Sequence, residues 1–119
     1  MGEDEMVTDP NILDMHELLD RIGDDKEFAL ELLQEFRQSL DQDLQTLKKT
    51  FESGDAKAAT ERSHALKGSA LNLSAKSFAA VARLMEDASK RGDVEEASSS
   101  YPDLVTEAER LKETIDGLS

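Results

Sequence analysis

Apolar side chains recur at intervals of three and four residues along most of this chain, and this spacing is the feature that most constrains its fold. The clearest run comprises Phe28, Leu32, Leu33, Phe36, Leu40, Leu44, Leu47 and Phe51. Such spacing forms one apolar stripe on an α-helix, with polar residues on the opposite face. Only two prolines and six glycines occur in 119 residues, and the abundant Ala, Leu, Glu, Lys and Gln favour helices. The sequence therefore predicts an all-α fold.

The first two helices have recognisable ends. A short helix is predicted over residues 11–22, ended by Gly23, because glycine tolerates the left-handed conformation that follows many helices. Asp24 or Asp25 is expected to cap the second helix, since a carboxylate accepts hydrogen bonds from the free amides of a first turn. The second helix is expected to end at Gly54.

The third and fourth helices are predicted to form a hairpin with a very short loop. Asp55 is expected to cap the third helix, and Ser74 the fourth, which ends near Gly92. The third helix has a stripe of small and medium residues: Ala59, Ser63, Leu66, Ala70 and Leu73. Small side chains on one face allow a neighbouring helix to approach closely.

Two alternatives stay open for the last segment. The helix begins near Ser99 or Ser100 with Pro102 in its first turn, or it begins near Val94 and kinks. In either case, four long amphipathic helices with short connections predict an antiparallel up-down four-helix bundle with a short extra N-terminal helix. Residues 1–10 are acidic with little to bury and are predicted to be a disordered leader, followed by one helical domain over 11–119.

Composition excludes several functional classes. The chain carries 27 acidic against 14 basic residues, a net charge of -13, which disfavours nucleic acid and anionic membrane surfaces as partners. It has no cysteine, so a disulfide framework or a thiol nucleophile is excluded. No apolar run approaches the ~20 residues that span a bilayer, and the acidic start does not resemble a signal peptide. We expect a cytoplasmic protein.

Most catalytic motifs are missing as well. The sequence has no glycine-rich phosphate loop, no pair of histidines at metal-ligand spacing and no nucleophile-elbow glycines. Its many carboxylates fall on the solvated faces of amphipathic helices. His16 has an ordinary helix-surface setting among acidic neighbours. These observations argue against an enzyme of hydrolytic or redox type.

His64 has more informative neighbours. Lys67 and Gly68 follow it at i+3 and i+4, and therefore lie on the same face of the third helix. The ring lies at the edge of the buried stripe and should be at least partly exposed. Glycine inside a helix costs about 1 kcal/mol relative to alanine, although no turn is needed here. An open position beside the histidine would let a partner protein approach closely.

These three residues suit phosphoryl chemistry. Histidine is substantially neutral at pH 7, so a ring nitrogen can attack phosphorus. Lys67 would supply positive charge for the phosphoryl oxygens. Phosphoryl transfer asks a protein mainly for positioning and charge neutralisation. Spacing alone leaves open the alternative that an exposed histidine precedes lysine and glycine by chance.

The run from His64 through Lys67, Gly68, Ser69 and Ala70 to Asn72 and Leu73 resembles the signature of histidine-containing phosphotransfer (HPt) domains of two-component phosphorelays. The predicted helices over about 11–118 resemble the same family. The resemblance implies that His64 is the phosphoacceptor at Nε2, that Lys67 steadies the phosphoryl group and that Gly68 leaves room for docking. Family members often place a glutamine near the histidine, and Gln34 and Gln38 are candidates for this role.

The resemblance also implies the partners and the absence of a cofactor. The partners would be response-regulator receiver domains and a sensor or hybrid histidine kinase, and the Mg²⁺ ion required for transfer would be bound by the receiver domain. The domain itself would be a phosphocarrier in signal transduction, without kinase or phosphatase activity and acting as a monomer. An alternative is a non-catalytic acidic helical adaptor that binds a protein partner. A degenerate phosphotransfer fold without phosphate is a third reading, against which the intact His64 and Lys67 argue.

The charge is unevenly distributed along the chain. Residues 48–91 carry nine basic against five acidic residues, or +4, and the remainder carries five against 22, or -17. The predicted hairpin with His64 is therefore mildly basic. We expect it to orient an acidic receiver domain, with Lys57, Thr60, Glu61 and Leu71 as further candidate contacts.

Overall fold

The computed structural model describes residues 7–118, and most of them are helical. In chain order the helices are α1 (Met15–Arg21), α2 (Lys26–Ser53), α3 (Ala56–Asn72), α4 (Lys76–Lys90), α5 (Val94–Ser99) and α6 (Tyr101–Asp116). No strand occurs between residues 7 and 118, and the all-α prediction is confirmed. None of the helices in this range combines the length and apolar character that crossing a bilayer requires.

Aspartate caps begin α2 and α3. The Asp25 carboxylate accepts the Phe28 amide at 2.9 Å, and the Asp55 carboxylate accepts the Ala58 amide at 3.0 Å. Each bond satisfies one amide that has no partner within its helix. Gly54 ends α2 with a φ of 74°, a left-handed conformation in which any Cβ would be strained. These predicted helix ends are confirmed.

Ser74 does not cap α4 as predicted. Ala75 occupies the N-cap position, and no side chain bonds to the first turn. The Ser74 hydroxyl instead donates to the Glu17 carboxylate at 2.9 Å and accepts from the Arg21 guanidinium at 3.2 Å. Both partners belong to α1, so the hydroxyl connects the α3–α4 turn to the N-terminal helix.

Helix α1 is shorter than the predicted 11–22. The Asn11 carbonyl accepts both the amide and the hydroxyl of Ser77, at 2.8 and 2.7 Å. The Asp14 amide donates to the Ser74 carbonyl at 3.0 Å. These backbone groups bind the α3–α4 turn and so do not form the first turn of a helix. Of the predicted acidic leader, residues 1–6 lie outside the described part of the chain.

The last segment combines features of both alternatives. The short helix α5 begins at Val94 and ends at Ser99. After Ser100, α6 begins at Tyr101 with Pro102 in its first turn. A continuous helix would bring the proline ring against the carbonyl of Ser98, four residues earlier. The break avoids that clash.

The core lies between α2, α3, α4 and α6. Phe36 of α2 and Phe78 of α4 meet edge to face, with ring centroids 5.7 Å apart and an interplanar angle of 86°. The predicted α3 stripe is buried as expected: Ala59, Ser63, Leu66, Ala70 and Leu73. Phe28, which was predicted in the α2 stripe, is 44% exposed. The small side chains of the α3 stripe allow the backbones of α3 and α4 to pack closely, and Glu86 of α4 reaches His64.

Candidate functional site

His64 lies on α3 at the edge of the α3–α4 interface. Its neighbours Ser63 and Leu66 are buried, whereas the His64 side chain is 66% exposed. A step of one residue turns a helix by about 100°, which carries the imidazole from the buried stripe to its margin. The partial exposure predicted from the sequence is confirmed.

A buried carboxylate from α4 holds this exposed ring. Glu86 Oε2 lies 2.7 Å from His64 Nδ1, and the Glu86 side chain is only 2% exposed. An ionised carboxylate accepts hydrogen bonds and cannot donate them, so the shared proton belongs to Nδ1. The lone pair of the neutral imidazole is therefore on Nε2, at the opposite side of the ring from Glu86. This arrangement selects the tautomer and fixes which nitrogen is the nucleophile.

Two lysines keep Glu86 ionised. Lys67 Nζ lies 2.6 Å from Glu86 Oε1, and Lys90 Nζ lies 3.3 Å from Oε2. The ion pair with Lys67, together with the His64 and Lys90 contacts, lowers the pKa of Glu86 from 4.5 to about 2, against the opposing effect of burial. A buried carboxylate without such partners would have a raised pKa. The cluster therefore keeps two cations beside His64.

This cluster predicts an acid-dependent loss of stability. The pKa of Glu86 is lower in the folded protein than in the unfolded chain, so its contribution is complete above about pH 4.5 and is lost as the pH falls toward 2. Between about pH 6 and about pH 2.5, the wild-type protein should lose roughly 2–3 kcal/mol more free energy of unfolding than Glu86→Gln does. Urea titrations of both proteins would measure this difference, and equal losses would contradict the ionised cluster.

The packing of residues 7–118 does not require a glycine at position 68. A Cβ built at this position meets no atom within 4 Å outside its own helical backbone, and the residue has ordinary helical backbone within α3. Neither conformation nor internal space therefore explains a glycine one turn beyond His64. The open position is available to a molecule outside the chain.

Neither of the two candidate glutamines of α2 contacts His64. Among the described residues, Glu86 of α4 reaches the imidazole within hydrogen-bond distance, and neither Gln34 nor Gln38 does. Both glutamines line a shallow depression with other residues of α2.

Sequence reasoning missed Glu86 because its carboxylate was counted among solvated charges. One signal was present: Glu86 follows Ala82 by four residues and precedes Ser89 by three, which places it on the buried side of α4. A lysine four residues later, Lys90, provides a partner on the same face. A buried acid with a basic neighbour at this spacing is a candidate site residue.

A basic groove runs along α3 and α4 and includes Lys67, which lies one turn from His64. It has a volume of about 480 Å³ and is lined by four cations and one acid, Lys67, Lys76, Arg83, Lys90 and Asp87, with Leu71, Ala79 and Ala80. Leu71 is 49% exposed and contributes apolar surface. A second depression includes Lys57, Thr60, Glu61 and Lys90. No group of His, Cys, Asp or Glu side chains within residues 7–118 is arranged to hold a metal ion.

Comparisons with known proteins give one family and one relative. The model of the Hpt domain family matches residues 31–118, which include α3 and α4. The phosphorelay intermediate protein rdeA of Dictyostelium discoideum is 34% identical over 94 residues, which cover 79% of this chain and 37% of that relative. This chain therefore matches little more than a third of the length of rdeA. No solved structure matches the chain at a significant level. The match over α2 to α6 confirms the resemblance drawn from the sequence: the chain belongs to the Hpt domain family.

Proposed function

We propose that this protein is a phosphocarrier in which His64 takes a phosphoryl group from the aspartate of one receiver domain and passes it to the aspartate of another. One observation carries the proposal: Nδ1 of His64 lies 2.7 Å from Glu86 Oε2, while the His64 side chain is 66% exposed. Nε2 is then the nucleophile. Membership of the Hpt family and the similarity to a phosphorelay intermediate support the same role.

The chemistry requires one bond to form and one to break. The Nε2 lone pair attacks phosphorus in line, the N–P bond forms, and the P–O bond to the receiver aspartate breaks with its electron pair returning to the carboxylate. Negative charge is spread over three equatorial oxygens. Lys67 lies one turn from His64 on α3, and we expect its flexible side chain to offset part of this charge.

Several further features of the proposal follow from the family. The protein has no kinase or phosphatase activity of its own, and the Mg²⁺ ion needed for transfer is bound by the receiver. Its partners are response-regulator receivers and a sensor or hybrid histidine kinase, which it meets as a cytoplasmic monomer. Helices α2, α3, α4 and α6 form an antiparallel up-down bundle to which α1 is added.

The receiver is expected to dock over α3 and α4. Residues 48–91, which include α3 and α4, carry a net charge of +4 in a chain of net charge -13, so long-range attraction favours the approach of an acidic surface to this side. Leu71 supplies an exposed apolar contact, as the cores of protein interfaces usually require. Gly68 allows the close approach.

A relay assay tests the proposal against its alternative, a non-catalytic adaptor. A labelled receiver domain is incubated with the protein, which is then purified and mixed with a second receiver. We expect label that is stable to alkali and labile to acid on this protein, followed by its appearance on the second receiver. Binding of the receiver with no transfer of label would support the adaptor instead.

Gly68 offers a separate prediction. Gly68→Ala should raise the free energy of unfolding by about 0.5–1 kcal/mol, because alanine favours a helix and its Cβ has free space. Gly68→Gln should raise the receiver concentration for half-maximal transfer by about tenfold, which corresponds to ~1.4 kcal/mol. Thermal unfolding and initial transfer rates would measure these effects.

The matched control is Ser69→Gln. Ser69 is exposed and lines a groove shared with α2, so the same side chain there should leave the half-maximal concentration unchanged. Equal effects at both positions would contradict docking over Gly68.

A further inference from the structure

Helix α3 ends in a conformation that usually requires glycine, yet this chain has a serine there. Ser74 has a φ of 60°, in the left-handed region that glycine enters freely and a residue with a Cβ enters only with strain. The Ser74 amide donates to the Leu71 carbonyl at 3.1 Å. The Ala75 amide donates to the Ala70 carbonyl at 2.8 Å. These two bonds form the Schellman motif, in which glycine is the usual left-handed residue. Contacts of Ser74 with the rest of the chain therefore have to offset the strain.

Helix α1 supplies those contacts. The Ser74 hydroxyl donates to the Glu17 carboxylate at 2.9 Å and accepts from the Arg21 guanidinium at 3.2 Å, and a glycine could form neither bond. The Ser74 carbonyl accepts the Asp14 amide at 3.0 Å. Glu17 and Arg21 also pair with each other at 3.0 Å, so the two side chains support one geometry. The serine is thus held from α1 through both its hydroxyl and its backbone.

Arg21 also binds the carbonyl end of α3. Its Nη1 donates to the Leu71 carbonyl at 3.0 Å and to the Asn72 carbonyl at 2.5 Å. The last carbonyls of a helix have no partner within it, and a cation there offsets the negative end of the helix dipole. The last turn of α3 contains no basic residue. Its cation is therefore supplied by α1, from a residue 50 positions before Leu71.

The turn that α1 holds forms one end of the basic groove. Leu71 and Lys76 line that groove, and Lys76 Nζ lies 3.0 Å from Glu17 and 3.3 Å from Asp14. We propose that Arg21 and Glu17 are positioning residues, which fix the α3–α4 turn in its strained form and thereby set the groove that a receiver meets. This inference rests on the proposed docking over α3 and α4.

The chemistry at His64 should not depend on this turn. His64 lies seven residues before Leu71, which is about two helical turns, and its ring is held by Glu86 of α4. Loss of the α1 contacts should therefore weaken binding of the receiver and leave the maximal rate of transfer unchanged. A general loss of the fold would lower both.

The test uses Arg21→Gln and two substitutions at Ser74. Arg21→Gln removes the guanidinium from the turn. Ser74→Ala removes the hydroxyl but keeps the Cβ and its strain, whereas Ser74→Gly removes both. Arg37→Gln is the matched control. Arg37 also joins two helices, since its Nε lies 2.6 Å from Asp116 of α6, and it does not line the basic groove.

We expect Arg21→Gln and Ser74→Ala each to raise the receiver concentration for half-maximal transfer by about threefold to tenfold. The maximal rate should stay within about twofold of wild type. Amide hydrogen exchange at Ser74 and Ala75 should become about tenfold faster, because the turn opens more often. Ser74→Gly should restore both quantities in Arg21→Gln, since glycine needs no compensating contact. Arg37→Gln should change neither.

Wild-type docking and wild-type exchange in both Arg21→Gln and Ser74→Ala would overturn the inference. Faster exchange without weaker docking would also overturn it. If Ser74→Gly did not rescue Arg21→Gln, the arginine would act by its charge alone, and the inference would be wrong. Absence of label on the wild-type protein would instead contradict the proposed function, and amide exchange would still show whether α1 holds the turn.

Discussion

His64→Gln should abolish phosphorylation by a phosphorylated receiver domain. Glutamine has no nitrogen lone pair able to attack phosphorus, because its amide nitrogen is conjugated with the carbonyl. The expected loss is complete within detection, or more than about a hundredfold in rate, which corresponds to more than ~2.7 kcal/mol of activation free energy. Labelled phosphate retained on the protein after alkali treatment would be measured.

His16→Gln is the matched control. His16 is the other histidine of the chain and lies on α1. Its side chain is 91% exposed, and its Nε2 atom lies 3.6 Å from Asp20 Oδ2. It lacks both a buried carboxylate and a lysine at i+3, so its replacement should leave labelling at the wild-type level. Normal labelling of His64→Gln, or its loss in His16→Gln, would contradict the assignment.

Lys67→Ala should slow transfer by about 10- to 100-fold. Removing one fixed donor to developing charge costs ~2.7–4 kcal/mol in a well-studied hydrolase, and the effect here should be smaller because Lys90 remains beside Glu86 at 3.3 Å. The variant also removes a positive charge that would neutralise the phosphoryl oxygens, so the phosphohistidine should lose its phosphate faster in water. Single-turnover transfer and hydrolysis rates would measure both effects.

An exposed lysine of α2, Lys49, provides the control for Lys67. Lys49 lies outside the grooves around His64, so Lys49→Ala makes the same change in net charge without touching the site. Its transfer rate should remain within about twofold of wild type. If both variants slowed transfer equally, the net charge of the protein would control the rate, and a local contact of Lys67 would not.

Local sequence rules predicted the helices that carry the site. The Asp25 and Asp55 caps and the Gly54 turn each depend on residues within four positions, so the sequence contains the information directly. The same holds for the buried α3 stripe and for the exposure of His64 at its margin. A helix has one period, and that period fixes which side chains share a face.

Contacts between distant segments could not be predicted in this way. Glu86 lies 22 residues from His64, and their 2.7 Å contact depends on how α4 packs against α3. The hydroxyl of Ser74 bonds to α1 across 57 residues instead of capping its own helix. In both cases the side chain bonds to a partner on another helix that local sequence rules do not identify. Helical periodicity gives the face of a residue but not the helix that covers it.

The most direct test of the account is the location of the phosphoryl group. Protein labelled with nitrogen-15 in histidine is phosphorylated by a receiver domain, and the coupling between phosphorus and the ring nitrogens is measured by NMR. The account predicts one phosphoryl group per chain, bonded to Nε2 of His64, with a proton on Nδ1. Phosphorus bonded to Nδ1, to His16 or to an oxygen atom would contradict it.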